Sequence, residues 1–126
     1  MRIYNNWILK KMALKISKEV NQFRCDVIVS VPVDKGHSDQ KITVKFKVLP
    51  QSRIQQVIDD ELNDGEDILD EVLVGWDDGA FKDDDDAPLL YNDDNKKLIL
   101  DVPYVRSALI KAYFKAINGK EYKRKN

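Results

Sequence analysis

Between residues 101 and 119 the apolar positions repeat with the period of an α-helix. One stripe is formed by Val105, Leu109, Ala112, Tyr113 and Ala116. Pro103 suits the first turn of a helix, where its missing N–H leaves no hydrogen bond unmade, and Gly119 suits the left-handed position that ends one. The pattern therefore predicts a single helix over this stretch, with the stripe facing the core.

The same helix carries a second apolar row, displaced around its axis. This row is formed by Ile110, Phe114 and Ile117. The simpler interpretation is that a small domain covers the helix on two sides. The alternative is that the second row docks on another subunit or a partner, as additional apolar faces often do. We take partner binding by Ile110, Phe114 and Ile117 as a hypothesis, with Trp76 and Tyr104 expected to be core anchors.

Two segments in the first half alternate with period two, which is typical of half-buried strands. They are residues 23–31 and 42–48. Cys25 falls on the same side as the apolar Phe23 and Val27. Pro32 and the polar residues 34–40 predict a long connection rather than a tight two-residue turn. Lys41, Lys45 and Lys47 predict a solvated face, since no aromatic residues alternate with them to stack on bases.

The second half predicts short helices. Ser52 and Gln55 have the spacing of a capping box, and the stripe of Ile54, Val57, Ile58 and Leu62 follows before residues 63–65 end the helix. Another helix is expected from Glu66, because apolar residues keep helical spacing up to Trp76, although residues 72–74 also suit a short strand. Asn92 or Asp93 suits the cap of a helix that reaches Leu100. The predicted fold is α+β, an N-terminal antiparallel β-hairpin packed against a small bundle of about four helices.

The chain of 126 residues has the length of one domain. We expect an N-terminal arm or upstream-start segment over residues 1–12, because Met12 also suits a first residue. A single domain is expected over 13–119 and a basic tail over 120–126. No stretch approaches the roughly 20 apolar residues of a membrane helix, and the first residues do not resemble a signal peptide. The expected location is the cytoplasm, without membrane contact.

Charge is unevenly distributed along the chain, although the total is −1. The net charge is +7 over residues 1–58, −14 over 59–101 and +6 over 102–126. These blocks are expected either to neutralise one another within the fold or to attract a neighbouring copy head to tail.

The residues do not form a pattern typical of catalysis. Cys25 is the only cysteine and His37 the only histidine, so a nucleophile with its base and a cysteine metal site are not indicated. The aspartates of residues 77–86 fail the calcium-loop spacing, whether the loop starts at Asp77 or at Asp83. No cofactor, metal or nucleic acid is expected. Binding to protein is the better interpretation.

Several short motifs in order along the chain resemble those of the tail assembly chaperones of long-tailed bacteriophages and prophages. After the hairpin they are Leu49-Pro50, Glu71-Val-Leu-Val-Gly75-Trp76, Ala87-Pro88-Leu-Leu-Tyr91, Leu98-Ile-Leu, Val102-Pro-Tyr-Val-Arg106 and Ala112-Tyr113-Phe-Lys-Ala116. The resemblance covers roughly residues 13–119, and the first eleven residues depart from it.

The resemblance implies a non-enzymatic protein that coats the long helical tape-measure protein until tail-tube subunits polymerise around it. It also implies self-association, contact with the tail tube protein in some cases, and absence from the finished virion. Family members are often also made in a longer, frameshifted form. The alternative function is an acidic mimic or regulator that presents residues 77–94 to a basic, nucleic-acid-binding protein. A more distant alternative is an accessory subunit of an enzyme.

Overall fold

The computed structural model describes Leu14 and residues 21–59 and 66–118. Within these residues the strands are β1 (Gln22–Val33), β2 (Gly36–Lys47) and β3 (Leu73–Trp76). The helices are α1 (Gln51–Asp59), α2 (Glu66–Val72), α3 (Asp93–Leu100) and α4 (Pro103–Asn118). The predicted α+β fold, a hairpin with about four helices, is confirmed. The predicted arm over residues 1–12 and the predicted tail over 120–126 lie outside the described residues.

The three strands form one antiparallel sheet in the order β1-β2-β3. The β1–β2 hairpin is longer than the alternation alone indicated, and its pairing continues to Val33 opposite Gly36. The prediction of a long connection over residues 34–40 was therefore wrong, because only Asp34 and Lys35 join the strands. Lys35 (φ 64°) and Gly36 (φ 151°) take left-handed backbone conformations. Gly36 accommodates its conformation because it has no Cβ.

Alternation along the hairpin separates a buried face from a solvated one. The side chains of Val27, Val29, Val44 and Phe46 are buried, whereas the lysines at positions 41 and 45 are exposed. The solvated lysine face is thus confirmed for these two, and Lys47 is half-buried. Cys25 lies with Phe23 and Val27 on the inner face, where Phe23 and Cys25 pack against the core.

The N-terminus of α1 lies two residues before the predicted position. The helix begins at Gln51, and the N–H groups of Arg53 and Ile54 donate to the carbonyl of Pro50 over 3.0 and 3.1 Å. Ser52 therefore lies in the first turn rather than at the cap, so the capping-box assignment was wrong. Ile54 and Val57 are buried as the stripe predicted. Leu62 and the predicted helix end at 63–65 lie outside the described residues.

Both interpretations of the segment after Glu66 hold in part. Helix α2 ends at Val72, and Leu73 begins β3, which pairs with β2. Trp76 is thus in a strand rather than at the end of a helix, with its partner Val44 opposite. A helix followed directly by a strand buries consecutive residues, since Ile68, Leu69, Val72 and Leu73 have 0% exposure. Helical spacing and a buried strand are indistinguishable in such a short run.

Helices α3 and α4 follow the predicted boundaries closely. The side chain of Asn92 caps α3 by accepting a hydrogen bond from the N–H of Asn95 over 2.8 Å. Helix α4 begins at Pro103 and packs against β1. Val105, Leu109 and Tyr113 of the predicted stripe are buried, Ala112 is half-buried and Ala116 is exposed. The stripe therefore leaves the core toward the C-terminus of the helix.

Candidate functional site

The predicted partner-binding row does not present three equivalent side chains. Phe114 is buried at 4% exposure, and its ring meets that of Tyr113 edge to face at 5.7 Å. Ile110 and Ile117 are half-buried at the border of the core. Binding of a partner by this row stays a prediction. The side chains that a partner can reach without disturbing the core are those of Ile110 and Ile117.

Tyr113 fixes the position of α4 on the sheet. Its hydroxyl accepts a hydrogen bond from the N–H of Leu49 over 3.2 Å and donates one to the carbonyl of Lys47 over 3.0 Å. Its ring meets that of Phe46 edge to face at 5.2 Å, and burial raises the pKa of the phenol. The hydroxyl of this fully buried tyrosine thus forms its hydrogen bonds with the backbone at the end of β2. Buried tyrosines usually have such hydrogen-bond partners.

Trp76 was expected to be a core anchor, and this is confirmed by its 8% exposure. The indole Nε1–H donates to the carbonyl of Leu89 over 2.7 Å. The indole ring lies between those of Phe81 and Tyr91, at 5.0 Å from each and nearly perpendicular to both. Tyr91 completes the arrangement by donating from its hydroxyl to the carbonyl of Leu73 over 3.2 Å. We call these four residues the tryptophan clasp (Trp76, Phe81, Leu89 and Tyr91).

Tyr104 was also expected to be a core anchor, and that prediction was wrong. Its side chain is 38% exposed. It stands in the first turn of α4, next to Pro103. Leu98 of α3 is exposed as well, at 55%. Apolar residues at the solvent side of short helices are common, and the sequence pattern did not distinguish these from core positions.

The acidic loop between β3 and α3 has a defined backbone. The carboxylate of Asp83 accepts hydrogen bonds from the N–H groups of Asp85 and Ala87 over 2.9 and 3.0 Å. Lys82 forms a β-bridge with Pro88, and the N–H of Leu89 donates to the carbonyl of Phe81 over 2.9 Å. The loop is therefore a small antiparallel protrusion held at its base by the tryptophan clasp. Its tip, residues 83–86, is exposed.

A groove lies between β1 and α4. It is open to solvent, has a volume of about 550 Å³ and is lined by Cys25, Asp26, Val27, Ile28, Ala108, Lys111, Ala112, Lys115 and Ala116. The alanines occur every fourth residue of α4, so they lie on one side of the helix and leave the space that larger side chains would fill. Sequence reasoning had assigned Ala112 and Ala116 to the core stripe and had missed the groove.

Charges around the groove are unequal. Asp26 is engaged on the outer face, where Thr43 donates to it over 2.8 Å and Lys41 lies 3.4 Å away. These hydrogen bonds lower the pKa of Asp26. Among the described residues, Lys111 and Lys115 have no ion-pair partner. Burial raises the pKa of the Cys25 thiol, an effect that Asp26 increases and Lys115 opposes.

An ion pair joins α1 to α2. Arg53 donates to the carboxylate of Glu71 through Nε over 2.8 Å and also through a terminal nitrogen. The Arg53 hydrogen bond lowers the pKa of Glu71 below its ordinary value of 4.5. Lys96 of α3 also contacts α2, since its ammonium group donates to the carbonyl of Asp70 over 2.7 Å. Burial lowers the pKa of Lys96.

In the part of the chain that the structure describes, no group of three or more histidine, cysteine or acidic side chains is arranged to hold a metal ion. No described helix combines the length and the apolar character needed to cross a membrane. Comparisons with protein-family models, curated proteins and solved structures found no match.

Proposed function

We propose that the chain is a tail assembly chaperone of a long-tailed bacteriophage or prophage, which binds the tape-measure protein and keeps it soluble during tail assembly. The proposed activity is non-catalytic and belongs to the host cytoplasm, and the protein is left out of the mature virion. Self-association and contact with the tail tube protein are part of the same proposal.

The observation that carries this proposal is that the motifs of the resemblance contact one another in pairs. Val74-Gly75-Trp76 meets Pro88-Leu89-x-Tyr91 through the tryptophan clasp. Ala112-Tyr113-Phe114 meets Leu49-Pro50 through the Tyr113 hydroxyl. These contacts bring the individually weak motifs together within one fold, which supports the proposal without resting on any single motif.

Co-expression tests the proposal directly. The full chain, carrying a tag, would be co-expressed with the tape-measure protein of the phage or prophage that encodes it. The tape-measure protein would also be expressed without the chain for comparison. We expect the soluble fraction of the tape-measure protein to rise and the two proteins to elute together. A tape-measure protein that is equally insoluble with and without the chain would refute the proposal.

The row on α4 supplies the variants for this test. Ile110→Ser with Ile117→Ser changes the half-buried members and spares Phe114, so we expect loss of co-elution with a folded chain. Leu98→Ser is the matched control, because it removes an exposed aliphatic side chain from the neighbouring α3. If both variants keep the tape-measure protein soluble, the row is not the binding surface.

The alternative proposal, an acidic mimic for a basic nucleic-acid-binding protein, is favoured by one observation. The aspartates at positions 84–86 are exposed at the tip of a loop with a defined backbone. A complex formed through this loop would weaken steeply with added salt, because its attraction comes from exposed charges. Weak salt dependence, together with insensitivity to Asp84→Asn and Asp85→Asn, would exclude it.

A further inference from the structure

The outer edge of β1 is a second surface of interest, and its hydrogen-bonding groups follow from the strand register. β1 pairs with β2 without a register shift, and beyond its start the N–H of Val48 donates to the carbonyl of Asn21 over 2.9 Å. In an antiparallel pair, hydrogen-bonded and non-hydrogen-bonded positions alternate. The backbone N–H and C=O groups of the odd-numbered residues of β1 are therefore hydrogen-bonded to β2. Those of the even-numbered residues point away from β2, toward the outer edge of the sheet.

The pairing on the other side of β2 agrees with this assignment. The N–H of Asp77 donates to the carbonyl of Thr43 over 3.1 Å, which places Thr43 among the residues that face β3. The backbone N–H and C=O of Asp26, its partner across the hairpin, consequently point away from β2. Pro32 also has an even number, so its missing N–H falls on the outer edge, the position that proline tolerates in a sheet.

Among the described residues no strand covers this edge, since β1 is the last strand of the sheet. It offers the outward backbone groups of Arg24, Asp26, Ile28 and Ser30. The groove lies directly beside it, between the edge and the three alanines of α4. A further strand placed there would gain backbone hydrogen bonds on one side and a shallow apolar floor on the other, which is the geometry of β-strand addition.

The charges that line the groove indicate which kind of segment binds there. Lys111 and Lys115 line the groove and have no ion-pair partner in the described part of the chain, whereas Asp26 is already engaged by Thr43 and Lys41. A second copy joined edge to edge through β1 would bring its own Lys111 and Lys115 to the same place, and like charges would oppose it. An acidic segment would instead find two available ammonium groups.

We propose that the groove between β1 and α4 binds an extended, acidic segment of another protein as an added β-strand. The segment pairs with the outer edge of β1, lies over Ala108, Ala112 and Ala116, and places carboxylates beside Lys111 and Lys115. This surface is distinct from the Ile110 and Ile117 row, and the inference does not depend on the tape-measure protein being the client.

The first test uses the full chain and a synthetic probe, a fluorescein-labelled peptide in which glutamate alternates with valine. We expect saturable binding by fluorescence anisotropy, and no binding of the peptide in which lysine replaces glutamate. Lys111→Glu with Lys115→Glu should weaken binding about tenfold or more, as charge reversal beside a bound partner does. Lys45→Glu with Lys97→Glu is the matched control, because it makes the same change in charge at exposed positions away from the groove.

The second test asks whether the probe is held as a strand. Two further peptides carry N-methyl groups, one on all its valines and the other on all its glutamates. Only one set of N–H groups faces β1 in an added strand, so we expect one methylated peptide to lose binding and the other to keep it. An equal effect in both peptides would overturn the proposal. Ala116→Phe, at an exposed position of α4, should also reduce binding by filling the groove.

Cys25 reports the state of the groove in the unmodified chain, because it lines the groove and is the only cysteine. We expect a thiol reagent to label Cys25 in the free monomer and the glutamate peptide to slow that reaction. A free monomer whose Cys25 is protected and which binds no probe would show that the chain covers its own edge. A dimer dispersed by Ala116→Phe would make a second copy the occupant. Either result overturns the proposal.

Discussion

Tyr113 and Leu49 are 64 residues apart in the chain and are joined by a hydrogen bond in which the N–H of Leu49 donates to the Tyr113 hydroxyl over 3.2 Å. The same hydroxyl donates to the carbonyl of Lys47. The end of the hairpin and the middle of α4 are thereby held in one position. This position also brings the three alanines of α4 beside β1 and so defines the width of the groove.

Removing the Tyr113 hydroxyl tests that connection. Tyr113→Phe leaves a buried backbone donor and acceptor without a partner, which we expect to lower the free energy of unfolding by about 1 to 3 kcal/mol. Urea denaturation measures the change. Tyr104→Phe is the control, since this hydroxyl belongs to an exposed side chain and its loss should change stability by less than about 0.5 kcal/mol. Equal effects of the two substitutions would contradict the assigned role.

The tryptophan clasp predicts that the acidic loop depends on one indole hydrogen bond. Trp76→Phe retains an aromatic ring but removes the Nε1–H that donates to Leu89, so we expect a loss of roughly 1 kcal/mol. We also expect faster amide exchange in residues 81–89, measured by hydrogen–deuterium exchange. Exchange of β1 should change much less. If both regions respond equally, the clasp does not act on the loop in particular.

The Arg53–Glu71 pair predicts a pH dependence with a definite sign. The pKa of Glu71 is lowered in the folded chain, so the pair stabilises fully above the ordinary value of 4.5 and loses its contribution as pH falls through the lowered pKa. The pair is partly exposed, so we expect Glu71→Gln to cost less than about 1 kcal/mol at neutral pH. The difference from the wild type should disappear in acid.

Urea denaturation over a range of pH follows the effect of Glu71→Gln. Asp84→Asn is the comparison variant, because it removes an exposed carboxylate that has no ion pair among the described residues. A stability difference for Glu71→Gln that is constant from neutral pH into acid would contradict the assignment.

Burial separates the three residues of the predicted partner row. Phe114→Ser removes a core ring, and we expect it to lower stability by about 3 to 5 kcal/mol. Ile110→Ser should cost clearly less, because its side chain is half-buried. Thermal melts followed by circular dichroism measure both. A melt of Phe114→Ser that matches the wild type would show that the ring is not part of the core.

The hairpin turn gives a prediction about backbone conformation. Gly36→Ala places a Cβ at a φ of 151°, which we expect to destabilise the chain by about 1 kcal/mol or more. Lys35→Asn should be stabilising by a few tenths of a kcal/mol, since asparagine tolerates its φ of 64° better than lysine does. Changes of opposite sign in the free energy of unfolding of the two variants, measured by urea denaturation, would support the tight turn. A stability unaffected by Gly36→Ala would favour a loose connection.

The linear pattern determined the local elements. Period-two alternation predicted β1 and the second half of β2, and the Asn92 cap with Pro103 predicted α3 and α4, because these signals depend on neighbours within a few residues. The linear pattern did not predict the boundary at Leu73, where a helix is followed directly by a strand that is buried like the helix. It also failed at Lys35, because the left-handed conformation of a lysine carries no sequence signature.

Tertiary structure alone decided which faces are available. The sequence placed Ile110, Phe114 and Ile117 in one row, but only the tertiary packing of α4 buries Phe114 and leaves its neighbours at the border of the core. The groove likewise arises from small residues of α4 meeting the outermost strand of a sheet, elements about eighty residues apart in the chain. Local periodicity contains no information on which strand lies at an edge, since that follows from the pairing of β2 with β3.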